Sequence, residues 1–99
     1  MQGDPKDGPT IRLLHIESDG RIVDHQHEFN ISEFAGIVPA IGDVILHPAV
    51  LGALDRSQPE NRTVLTVVGR VFNPKDHGDY IALIVGVRPG TEADAAFLP

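Results

Sequence analysis

Residues Thr63–Arg88 read TVLTVVGRVF, NPKDHGD and YIALIVGVR: two runs rich in β-branched residues around a segment dense in Pro, Asp and Gly. That composition predicts two strands joined by a reversal. Both runs are almost continuously apolar, so each is expected to be buried on two faces or to curl around a core. Pairing them about the loop sets Gly69 roughly opposite Leu83 and Gly86 roughly opposite Thr66. Glycine inside an otherwise bulky strand marks a sharp bend, as at the corner of a small barrel. The closing hairpin therefore predicts a strongly bent all-β fold.

Working outward, TIRLLHIE and RIVDHQHEF are strand-like and are joined by Ser18-Asp19-Gly20, where Gly20 supplies the positive φ of a hairpin turn. Asn30 followed by Glu33 is a capping signature, predicting one short helical turn over about residues 31–36 with Gly36 as its stop. Val44–His47 is a short strand that Pro48 ends. Residues 48–62 read as an irregular loop or weak helical turns, with a turn at Pro59-Glu60-Asn61. The expected organisation is a flexible leader at 1–9, a single β-barrel domain at 10–88 and a tail at 89–99. Five such strands with one helical turn are similar in layout to small SH3-like barrels, the alternative being a strongly bent antiparallel meander. A likeness of layout implies no activity, because such folds host many.

Ninety-nine residues make one domain with one modest core. With four Phe, one Tyr and no Trp, that core must be aliphatic. Cysteine is absent, which excludes disulfides, thiolate metal sites and cysteine nucleophiles and suits a reducing compartment; the expectation is a cytoplasmic protein. No stretch approaches the length of a membrane-spanning helix. The net charge of −6 repels phosphate backbones and disfavours nucleic acid. The mildly basic last hairpin, with Arg62, Arg70 and Arg88 near Tyr80, keeps a weak nucleic-acid-binding barrel as a second alternative.

Five histidines stand at 15, 25, 27, 47 and 77. Strand alternation puts Val23, His25, His27 and Phe29 on one face and Asp24, Gln26 and Glu28 on the other. The 18–20 reversal brings His15 near Val23 or His25, so His15, His25 and His27 form a possible three-nitrogen metal set, which His47 joins if its strand packs beside them. The carboxylates that usually orient metal-bound histidines point away. No metal or other cofactor is therefore expected, and a His-based metal-binding protein is the alternative reading. Asp76, His77 and Asp79 are explained as turn residues. Ser18, Ser32 and Ser57 lie outside any nucleophile turn, so no catalytic residue is assigned.

Surplus apolar faces remain: Ala82 and Ile84 interrupt the polar face of the last strand, and Ile11 and Leu13 oppose Leu14 and Ile16 across the first. They require cover from residues 48–62, the tail or another subunit. The resulting expectation is a non-enzymatic module acting through a protein partner or as a homodimer, with Arg70, Tyr80, Ile84 and Arg88 as its contact surface.

Overall fold

The computed structural model describes residues 8–98, so most of the expected leader lies outside it. Five strands form one sheet: β1 (Thr10–Ile16), β2 (Ile22–Asn30), β3 (Val44–Leu46), β4 (Thr63–Asn73) and β5 (His77–Pro89). Helix among the described residues is confined to 3₁₀ turns at Ile31–Phe34, Pro59–Asn61 and Glu92–Phe97.

The strand order is β2-β1-β5-β4-β3, with β1 and β5 parallel. This corrects the antiparallel meander: the sheet is mixed, and sequence neighbours β2 and β3 lie at its opposite ends. The cause is burial. The strongly apolar β1 and β5 pair in the middle, where Ile11, Leu13, Leu83 and Val85 are removed from water. The polar β2 and the three-residue β3 are left at the edges.

Local chemistry sets the turns. The Glu17 N–H donates to the Arg21 carbonyl across the first reversal, with Gly20 at φ 89°. Asn30 accepts from the Ser32 N–H while Glu33 accepts from the Asn30 N–H, closing the expected capping box. Ala35 and Gly36, both at positive φ, then stop the turn.

One face of the sheet is the core. Ile11, Leu13, Ile45, Leu65, Val67, Ile81, Leu83 and Val85 cluster there, with Phe29, Phe34 and Val38 packed against them. Each such aliphatic side chain contributes about 1.5–3 kcal/mol on full burial. Part of the other face is covered by the C-terminal turn. Arg88 donates to both carboxylate oxygens of Asp94 at 2.7 and 2.9 Å, and Val64, which pairs with Arg88, is fully buried. Gly90 makes this docking possible, since a Cβ there would fall 2.0 Å from the Pro59 carbonyl oxygen.

The sheet curls without closing. β2 and β3 are its ends and no ladder joins them, yet the His27 and His47 rings meet across the gap. A bulge in β4 contributes: Val67 pairs with Val85 and Gly69 with Ile84, leaving Val68 extra. Gly86 lies opposite Thr66 as expected, whereas Gly69 is one residue off its expected partner.

Candidate functional site: a histidine seam

Between Leu13↔His27 and Leu14↔Asp24, the β1–β2 register leaves His25 and Gln26 without counterparts. Gln26 adopts φ 62°, unusual for a residue other than glycine. Asp24 holds it there by accepting the Gln26 N–H at 2.6 Å, and its other oxygen accepts from Arg12 at 3.0 Å. Glu28 also binds Arg12. Both carboxylates are thus committed to one arginine on the face opposite the histidines.

Two inserted residues preserve the strand alternation, so His27 stays on the core face beside Leu13. His15, on the adjacent strand, lies against the exposed His25 with ring centroids 4.4 Å apart, and 5.8 Å from His27. From the opposite end of the sheet, buried His47 reaches His27 at 4.8 Å between centroids. Four of the five histidines therefore meet along the gap in the curled sheet, three of them from the expected set.

Hydrogen bonding fixes how the central pair is protonated. The Ala49 N–H donates to His47 Nδ1 at 3.0 Å, so that nitrogen carries a lone pair. Neutral His47 then bears its proton on Nε2 and donates it to His27 Nδ1 at 3.1 Å. Burial, followed by the neighbouring His27, His15 and Arg62, holds the His47 imidazole below its ordinary pKa. Burial, then His25 and His27, does the same for His15, with Glu17 pulling the other way. His15 Nε2 is buried without a hydrogen-bond partner. Among the described residues no three His, Asp or Glu side chains are placed to hold a metal ion as they stand.

Arg62 closes this end of the fold. Its buried guanidinium donates to the carbonyls of Arg56 and His47, each at 3.2 Å, tying residues 48–62 to the end of β3. Sequence reasoning gave it no such role. A buried arginine bonded only to carbonyls has no local signature.

The expected contact residues are not gathered in one patch. Residues directly opposite in an antiparallel ladder share a face. Arg70 pairs with Leu83 and so lies on the core side, extending past the core to stack on Phe72 at 5.5 Å. Tyr80, Ile84 and Arg88 occupy the other face. Tyr80 lies under the Arg12 guanidinium at 5.2 Å, Ile84 covers Gly69, and Arg88 is held by Asp94. The Val68 bulge moved Arg70 across the sheet.

A feature that sequence reasoning missed is the outer edge of β3. Asp43 accepts from the Val67 N–H and His47 donates to the Thr63 carbonyl, each at 2.9 Å, so the odd-numbered residues face β4. The N–H and C=O of Val44 and Leu46 therefore point away from the sheet. They border a groove of about 450 Å³ lined by Phe34, Ile37, Pro39 and β3 itself, together with the acids Glu33 and Asp43. Ile37, Ile41 and Val44, on or just before β3, are exposed, whereas the exposed Leu51 and Leu54 line a separate cavity beside His15 and His47.

These features define a class: a small, open, mixed β-sheet protein with a histidine-lined seam and a free edge at β3 bordered by apolar and acidic residues. No protein-family model, no curated protein and no solved structure matches the chain. Among the described residues no helix is long and apolar enough to cross a membrane.

Proposed function

We propose that this chain is a non-enzymatic binding module that self-associates by strand addition at β3. The observation that carries the reading is the outward-facing backbone of Val44 and Leu46, set among exposed apolar side chains. An edge of that kind is a template for another strand. A second copy suits it because two β3 strands related by a two-fold axis present the same patch to each other. The added strand would carry each open curl toward the barrel layout expected from the sequence. The outer face of the last hairpin is the weaker surface, its Arg88 being engaged by Asp94 and its Arg70 lying on the other side. The cysteine-free composition supports a cytoplasmic setting.

Two copies at −6 each repel, so the attraction must come from short-range apolar and backbone contacts, and added salt should strengthen association. Sedimentation equilibrium in EDTA tests the reading. The expected species has twice the 10.7 kDa chain mass and is lost in Val44→Lys. A monomer at every concentration, or a dimer indifferent to Val44→Lys, contradicts it.

A further inference from the structure

The two ends of the curled sheet are bridged by a side-chain hydrogen bond between imidazoles, and the accepting Nδ1 of each ring is the place where a proton would land. His47 Nδ1 takes the Ala49 N–H, and His27 Nδ1 takes the His47 Nε2–H. A proton added to His47 must go to Nδ1 and confront the Ala49 N–H. One added to His27 Nδ1 confronts the His47 Nε2–H. We propose that His27 and His47 form an acid-sensitive latch, closed when both are neutral and released when both carry protons, which frees the end of β3 and the following segment from β2.

The surroundings favour release once protons bind. His15 and His25 lie within 4.4 to 6.3 Å of each other and of His27 between ring centroids, so each further imidazolium repels the rest. The Arg62 guanidinium sits on the His47 carbonyl, with Arg56 beyond it, adding positive charge from the 48–62 side. The acids nearby are Glu17, acting on His15, and Glu60, which lines the same cavity as His15 and His47. Neither forms an ion pair with His27 or His47. Asp24 and Glu28 are held by Arg12 across the sheet. The depressed pKa values of His15 and His47 agree in direction with a site that resists and is opened by protonation.

The latch stands independently of self-association and is tested on the dilute protein in EDTA. NMR spectra recorded from pH 7.5 to pH 5 should show contacts between the His27 and His47 rings disappearing below the ordinary histidine value of about 6.5. The Ala49 amide should lose protection about five- to tenfold after correction for intrinsic exchange, the equivalent of one hydrogen bond. Central amides of β4 and β5 should keep theirs. In His47→Gln, whose amide both accepts and donates without titrating, the pH dependence at Ala49 should vanish. Ring contacts that persist at pH 5 while the histidines titrate overturn the latch, and so does an unchanged pH dependence in a folded His47→Gln. The wild-type measurement decides the matter if that variant does not fold.

Discussion

The two free edges of this sheet are built on opposite plans. β2 spans nine residues, is interrupted by the His25–Gln26 bulge, and carries Asp24 and Glu28 bound to Arg12. Charge and a bulge are the usual means of blunting an edge against further strands. β3 is three residues long, unbulged, and bordered by exposed Ile37, Ile41 and Val44. One edge rejects a neighbour and the other offers its backbone to one. Shortness and the carboxylates of Glu33 and Asp43 in the adjoining groove protect β3, and the apolar residues around it counteract that protection.

The largest effect should come from the core that both edges share. Leu83→Ala removes a fully buried side chain of the central strand and should cost about 2–5 kcal/mol in chemical denaturation. It should weaken self-association only by unfolding the chain. Val44→Lys instead gives β3 the protection that β2 already has. It should weaken the dimer at least roughly tenfold, about 1.4 kcal/mol, without lowering monomer stability comparably.

Acid should separate the two ends of the fold. His15 and His47 are depressed, so the unfolded chain binds more protons as pH falls below about 6.5, and folded stability must decline from there. Asp94 is also depressed, chiefly by Arg88 and then by the Thr91 N–H, but its contribution is full above about pH 4 and is lost only below. Thermal melts should therefore show a first loss of stability between about pH 6.5 and 5 that His47→Gln reduces, and a second below about pH 4 that Asp94→Asn reduces, Asp19 and Asp55 being depressed as well by hydrogen bonds from Arg21 and Ser57. The smallest effect belongs to the β2 surface. Arg12→Ala breaks two partly exposed ion pairs and should cost about 1 kcal/mol or less in urea denaturation.

Features fixed by adjacent residues were legible in the sequence. The Ser18–Gly20 reversal, the Asn30/Glu33 capping box and the Gly86–Thr66 pairing all follow from turn chemistry or loop symmetry. Features fixed across the sheet were not. The parallel β1–β5 pairing joins residues about 70 positions apart, and no local pattern distinguishes it from a meander. The Val68 bulge left no mark in TVLTVVGRVF, yet it inverted the face of Arg70. The bulge in β2 had a faint signal, Asp24 two residues before Gln26, which is the spacing of a side chain that caps its own backbone. The grouping of His15, His25 and His27 was readable from one hairpin; the arrival of His47 needed the curl of the whole sheet.

Amide hydrogen exchange at Val44 and Leu46, followed as protein concentration rises, tests the central claim most directly. Strand addition at β3 predicts that both amides gain protection with concentration while the outward amides of β2 do not. Exchange at Val44 and Leu46 that stays fast and independent of concentration, or protection that grows equally on β2, would contradict it.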